Sequence, residues 1–136
     1  MDLATVLDDF DALEPGDERL QHLIELGRSL PPFPEHARTE AHKVSGCLSQ
    51  VWVTARREGD GIRLEGDSDA LVVKGLVALL IAIYDGRLLA EAATLDPTPI
   101  FARIGLEGHL SMTRRNGLWS MVQRIRAHAA ALSASG

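Results

Sequence analysis

The stretch VWVTARREGDGIRLEG, residues 51–66, alternates apolar and polar side chains on either side of a glycine-rich interruption. A period of two is typical of strands that bury one face. The interruption contains Gly59, Asp60 and Gly61, residue types that let a chain reverse direction. We therefore predict an antiparallel hairpin here, with residues 41–44 as a third strand.

The segment after the hairpin, residues 71–84, is apolar on nearly every side except at Lys74. A helix of this kind belongs in the centre of a domain. Asp67, Ser68 and Asp69 precede it and offer side-chain acceptors for the free amides of its first turn.

Helical spacing of apolar residues also predicts helices at both ends of the chain. The first covers residues 3–13, and the second starts at Asp17, whose side chain would cap it, and stops before the prolines at 31–34. Two short helices follow Gly86. A final helix buries one stripe and turns three arginines toward water, at positions Arg115, Arg124 and Arg126. The tail from about residue 131 is expected to fray.

This order of elements predicts an α+β fold, a small antiparallel three-stranded sheet with helices packed against it. The 136 residues suit one domain, and 46% hydrophobic with 24% charged residues is ordinary globular composition. The longest nearly uncharged apolar run, residues 75–84, is half of the roughly 20 residues that a membrane span needs, and the N-terminus is acidic. We expect no membrane span, no export signal and a cytoplasmic location.

Charge and cysteine content exclude further classes of function. The net charge of −5 and the few aromatic residues argue against nucleic acid as a ligand. Residues 1–40 carry ten acidic and three basic side chains, whereas residues 101–136 carry one and five, which could mean solvated helix faces or two partner surfaces. A single cysteine, Cys47, excludes an internal disulfide and a metal site made of protein thiolates alone.

Cys47 follows Gly46 on a predicted loop just before the hairpin. A lone cysteine is commonly a small buried apolar residue, but neighbouring hydroxyls and loop amides could instead stabilise a reactive thiolate. From spacing alone both interpretations remain open.

Five ordered motifs carry a more specific signal, and each is weak alone. They are LGRSLPPFP at 26–34, VSGCLSQVWV at 44–53, GDSDA at 66–70, VKGL at 73–76 and HLS…RRNGL at 109–118. Together they resemble the SufE/CsdE family of sulfur-acceptor proteins, from about Phe10 to Ala129. The family typically has proline where Ser45 stands and often glutamine where Leu48 stands, so the loop and its partner contacts are expected to differ here.

The resemblance implies that Cys47 accepts a persulfide sulfur from a cysteine desulfurase of the SufS/CsdA type and passes it to an iron–sulfur cluster scaffold. It implies partner contacts at Gly46, Leu48, Ser49 and Asp69, although a helix cap is the simpler role for Asp69. Arg114 matches a family arginine near the loop and could stabilise an anion. Otherwise it is a surface arginine at the start of a helix, or forms an ion pair with the acidic N-terminal third. His109 could orient the loop, accept a proton, or only cap a helix.

The protein is accordingly expected to activate a desulfurase, to hold no cofactor itself because pyridoxal phosphate resides on that partner, and not to turn over without it. Monomer and homodimer remain open. We also expect the resting loop to shelter the thiol. Three alternatives remain: a non-catalytic adaptor or regulator, a cysteine hydrolase using Cys47 with His109, and a cluster scaffold, for which one thiolate is too few.

Overall fold

A computed structural model describes residues 2–46 and 49–135. Within these ranges the elements are α1 (Leu3–Asp11), α2 (Asp17–Arg28), β1 (Val51–Glu58), β2 (Gly61–Ser68), α3 (Leu71–Tyr84), α4 (Leu89–Ala92), α5 (Thr98–Ile104) and α6 (Met112–Ala134). Short 3₁₀ helices lie at Glu35–Ala37, Glu40–His42 and Glu107–His109. The predicted α+β class, with helices packed against an antiparallel hairpin, is confirmed. Helix α6 extends through residues 131–134, which we had placed in a frayed tail.

The hairpin is the predicted one. Strands β1 and β2 pair antiparallel from Val51 opposite Ser68 to Glu58 opposite Gly61, joined by a two-residue turn in which Gly59 has a φ of 61°. A two-residue turn of this kind favours glycine because its backbone is left-handed.

The predicted third strand at residues 41–44 is wrong. The described sheet has two strands, because residues 40–42 form a 3₁₀ turn in which the amide of Lys43 donates to the carbonyl of Glu40. Pairing with β1 is reduced to an isolated bridge between Lys43 and Trp52, and to one bond from Val44 N–H to Val51 O at 2.8 Å. An amide that is already hydrogen-bonded within the turn cannot donate to a neighbouring strand.

The outer edge of β2 is covered by the segment that follows α3. Ile62 exchanges two backbone bonds with this segment, donating to Arg87 O at 2.9 Å and accepting from Gly86 N at 2.8 Å. Two residues further along the strand, the amide of Leu64 donates to the carboxylate of Asp85 at 2.7 Å.

Helix α3 is the centre of the fold, as predicted. Ten of its residues are buried, ending at Tyr84, whose hydroxyl donates to Leu95 O at 2.8 Å. Burial raises the pKa of Tyr84 to about 12.

Helix α2 approaches α3 backbone to backbone, since a Cβ on Gly27 would lie 2.7 Å from the nitrogen of Gly75. One on Gly75 would overlap the carbonyl oxygen of Leu23.

Two predicted helix caps are wrong. Helix α2 starts after Gly16 and α3 after Ala70, and neither has a side-chain cap. Asp69 instead accepts from the amide of Gln50 at 3.1 Å, and Asp67 pairs with two cations. Asp67 and Asp69 therefore bind groups that are distant in sequence instead of the free amides at the start of α3.

Asp67 ties three segments together. Its side chain is buried and lies 2.6 Å from Arg38 Nη2 and 3.2 Å from Lys74 Nζ. Burial works to raise the pKa of Asp67, but the hydrogen bonds from Arg38, the Ser68 amide and Lys74 together hold that pKa below its usual value. The guanidinium of Arg38 also lies 5.0 Å from the ring of Trp52, so the segment before the cysteine loop is fixed to the outer face of the hairpin.

We predict that Gly75→Ala destabilises the protein by about 3 kcal/mol or more, because the added methyl group meets backbone atoms of α2 that cannot move aside. Gly108→Ala is the matched control, since a Cβ there meets nothing within 4 Å. Urea unfolding measures both. Equal midpoints for the two variants would contradict the close approach of α2 and α3.

We predict that Asp67→Asn lowers the melting temperature by about 5–10 °C, because it leaves two cations around a neutral amide. Asp60→Asn removes an exposed pair with Arg57 and should change the melting temperature by about 2 °C at most. The difference between the variants should begin to shrink as the pH falls below about 4, the pKa of an unperturbed Asp, and should be lost as the pH falls through the lower pKa of Asp67 in the folded protein. A difference that is constant with pH would argue against the ionic role.

Candidate functional site

The loop that carries Cys47 leaves the 3₁₀ segment at Val44 and enters β1 at Val51. Cys47 and Leu48 lie outside the described residues, so the site is described by the residues on either side of them. The base of the loop is closed by hydrogen bonds. Beyond the bond between Val44 and Val51, Asp69 donates its amide to Gln50 O at 3.3 Å and accepts from Gln50 N at 3.1 Å. The two ends of the loop are thereby held side by side.

Helix α6 lies against the N-terminal end of this loop. Its row of residues Asn116, Ser120 and Arg124, four apart and hence on one face, lines a groove together with Val44 and Ser45. Gly46 is exposed and has a φ of 87°. The positive φ favours glycine beside the cysteine, and a Cβ there would also displace Ser120 Oγ, which it would approach to 2.7 Å.

A neighbouring row of α6 lies against the C-terminal end of the loop. Ser49 is half-buried and borders a cavity of about 30 Å³. The other lining residues come from α3 and α6 and are mostly apolar: Val73, Leu76, Thr113, Arg114, Gly117, Leu118 and Met121. The structure therefore brings together two of the predicted site residues, Ser49 and Arg114.

Arg114 is exposed in the first turn of α6, where its amide donates to the N-cap Ser111 Oγ at 3.2 Å. Within residues 2–46 and 49–135 its guanidinium has no hydrogen bond or ion pair, so its charge is uncompensated. An ion pair with the acidic N-terminal third, the alternative suggested by the sequence, is not formed among those residues. A cation without a carboxylate partner can serve an anion that arrives at this cavity.

His109 lies elsewhere. It is exposed at the end of a 3₁₀ helix and lines a separate cavity of about 10 Å³ with residues of α1, α2 and α5, including Phe10, Arg19 and Ile104. The structure does not bring His109 to the Ser49 cavity among the described residues. Asp69 is exposed beside the base of the loop, and its partner there is the Gln50 amide.

The prediction that the arginines of α6 face water is wrong. Arg124 donates from Nη2 to Ala41 O at 2.6 Å and from Nη1 to Lys43 O at 3.3 Å. Arg126 donates to Ala93 O at 3.3 Å, and the Nε atom of Arg115 is buried without a partner among the described atoms. Sequence reasoning missed Arg124 because its partners are main-chain carbonyls, which have no side-chain signature.

His128 completes the contacts of Arg124. Its Nε2 atom accepts from Arg124 Nε at 3.0 Å, which requires a neutral ring with the proton on Nδ1. Burial, followed by the positive charge of Arg124 and that of His42, lowers the pKa of His128.

Because the folded protein disfavours protonation of His128, acid should lower the free energy of unfolding. The contribution of His128 to stability is full above its unfolded pKa of about 6.5 and is lost as the pH falls from there toward its folded value. We expect the unfolding free energy to fall between about pH 7.5 and pH 5, and to fall less in His128→Gln. The matched control is His36→Gln, at an exposed position. An unchanged pH profile in His128→Gln would contradict the assignment.

The described residues also bear on metal binding and on membrane insertion. No cluster of three or more His, Cys, Asp or Glu residues in residues 2–46 and 49–135 is arranged to hold a metal ion. None of the described helices is both long and apolar enough to cross a bilayer.

Known proteins are similar to this chain in sequence and in fold. The SufE model, described as an Fe-S metabolism associated domain, matches residues 4–129. An uncharacterized SufE-like protein of Rhizobium meliloti is 44% identical over 93% of this chain and 94% of its own length, and one of Rhizobium etli is 47% identical over 93% and 88%. The solution structure of a hypothetical protein from Thermus thermophilus superposes with a TM-score of 0.77 at 27% identity, covering 96% of this chain and 94% of that one. The chain therefore belongs to the SufE family.

Proposed function

We propose that this protein relays sulfur: it accepts a sulfane sulfur on Cys47 from a pyridoxal phosphate-dependent cysteine desulfurase in the cytoplasm and passes it to iron–sulfur cluster assembly. The observation that carries the proposal is the family match over residues 4–129, within which Cys47 keeps the Gly-Cys-x-Ser-Gln core at 46–50. The cation of Arg114, which pairs with none of the residues that the structure describes, and the mostly apolar cavity beside Ser49 support it.

The proposed step is an exchange at sulfur. The Cys47 thiolate attacks the terminal sulfur of a persulfide on the partner's cysteine, a new S–S bond forms, and the old S–S bond breaks. The partner's cysteine leaves as a thiolate with the electron pair, and Cys47 becomes the persulfide. No net oxidation occurs, so neither an external oxidant nor a reductant is required. Removal of sulfur from the desulfurase would free its cysteine for another cycle, which is how activation arises.

Arg114 would act on the charged forms of the sulfur. An ordinary thiol has a pKa near 8.5, so only a few per cent is ionised at neutral pH, and a nearby guanidinium favours the thiolate and the persulfide anion. Arg114 lines the same cavity as Ser49, two residues from Cys47 in sequence. The mostly apolar remainder of that lining would shelter a persulfide from water and stray thiols between partners.

Partner recognition would involve the loop and its surroundings. Gly46 and Asp69 are exposed, where a docked desulfurase would contact them, and Leu48 and Ser49 follow Cys47 directly in the sequence. Pyridoxal phosphate would remain on the desulfurase, because the carbon–sulfur bond is cleaved there.

Mass spectrometry tests the relay directly. The protein mixed with a desulfurase and cysteine should gain one sulfur atom on the peptide containing Cys47, and Cys47→Ser should gain none and should no longer stimulate the desulfurase. Stimulation that survives in Cys47→Ser would favour a non-catalytic adaptor. Ester or amide turnover by the protein alone would favour a hydrolase.

Arg114→Ala should slow sulfur transfer about tenfold, the effect of losing one charge-assisted contact. Arg56→Ala is the matched control, because Arg56 is also exposed and without an ion pair among the described residues but belongs to the hairpin. Equal rates for both variants would remove Arg114 from the mechanism. Iodoacetamide alkylation with and without the desulfurase tests whether docking exposes the thiol, and equal alkylation rates would contradict shelter.

A further inference from the structure

We propose that Arg124 is a positioning residue for the sulfur-acceptor loop: it fixes the chain entering the loop to helix α6, the helix that also carries Arg114. The inference rests on the proposed function, since it assigns a further residue to that same site. Its basis is the set of three hydrogen bonds that Arg124 makes, two of them to the segment just before the loop.

The two bonds to the chain are made at carbonyls two residues apart. Nη2 lies 2.6 Å from the oxygen of Ala41, and Nη1 lies 3.3 Å from that of Lys43. Lys43 is the residue that forms the isolated bridge to Trp52. The strap of residues 41–43 is therefore held on one side by β1 and on the other by α6, immediately before the loop begins.

The third bond holds the guanidinium itself. Nε donates to His128 Nε2 at 3.0 Å, one helical turn further along α6, so the side chain is anchored on its own helix. A planar fork of fixed geometry can point three N–H groups at three acceptors at once, whereas a lysine has one nitrogen on a flexible stem. The arrangement uses the shape of arginine as well as its charge.

Arg124 has no carboxylate partner among the residues that the structure describes, in contrast to Arg38 and Arg103, which pair with aspartates. Its charge is met by carbonyl dipoles and a neutral imidazole. These three acceptors fix the direction and the length of each hydrogen bond. The contacts therefore position the guanidinium rather than neutralise its charge.

The consequence for the site follows from the helix. Arg114 and Arg124 are ten residues apart on α6, about 15 Å along its axis. Arg124 attaches the start of the loop to this helix, Gly46 lies close to Ser120, and Ser49 borders the cavity that Arg114 lines. When the Arg124 bonds are removed, the strap keeps its pairing with β1, but its distance from α6 is no longer fixed.

The test compares Arg124→Ala and Arg124→Lys with Arg126→Ala, a control that loses one hydrogen bond to a carbonyl from the same helix. In Arg124→Ala we expect the maximal rate of sulfur transfer to fall about tenfold and alkylation of free Cys47 by iodoacetamide to rise about fivefold. The desulfurase concentration that gives half the maximal rate should stay within about twofold of wild type, because the exposed contact residues remain. Arg124→Lys should be intermediate, and Arg126→Ala should behave as wild type.

Melting curves establish that each variant is folded, and Arg124→Lys keeps the test valid should Arg124→Ala unfold. Unchanged alkylation and transfer in both Arg124 variants would overturn the positioning role while wild-type sulfur transfer stands. Equal losses in Arg126→Ala would also overturn it, since the effect would then be one of general stability. Absence of sulfur on Cys47 in the wild-type protein would instead reject the proposed function. In that case, altered alkylation of the isolated Arg124 variants would still support the anchoring of the loop by Arg124.

Discussion

Helix α3 is apolar around almost its whole circumference, and the remaining elements are arranged to cover it. Close approach of the covering elements requires glycine: Gly27 and Gly75 where α2 crosses, and Gly66 where β2 crosses, since a Cβ on Gly66 would lie 2.7 Å from Val77 Cγ1. Interiors are packed as densely as organic crystals, so these contacts leave little freedom in where the outer elements sit. The hairpin and α6, which flank the cysteine loop, take their places from this packing.

The candidate site depends on that placement because the described ends of the loop lie against α6 and the hairpin. Its base is closed by backbone bonds, and its described ends lie along two adjacent rows of α6, the row of Ser120 and the row of Gly117. Loop ends that are attached to one rigid helix keep their geometry. The proposed sulfur transfer needs this property, because a thiol must be placed precisely in order to react.

The sequence was sufficient for the elements with strong periodicity. The hairpin, the buried helix and the apolar stripe of α6, from Leu118 to Ala129, were all predicted from spacing and are confirmed. The third strand failed because alternation over four residues cannot be distinguished from a 3₁₀ turn. The cap at Asp69 failed because a local acceptor competes with tertiary partners that a sequence does not reveal. The roles of Cys47, Arg114 and His109 were inferred from family resemblance and remain predictions, whereas Arg124 could be found only once the carbonyls it contacts had been placed.

The edges of the small sheet have a further consequence for how copies of this protein behave at high concentration. A two-stranded sheet exposes two rows of unpaired backbone groups, which normally invite strands from other molecules. Here the outer edge of β2 is occupied at Ile62 and Leu64 by residues 85–87, and the outer edge of β1 is occupied at Val51 by Val44. Intermolecular strand addition is thereby hindered along β2 and at the start of β1.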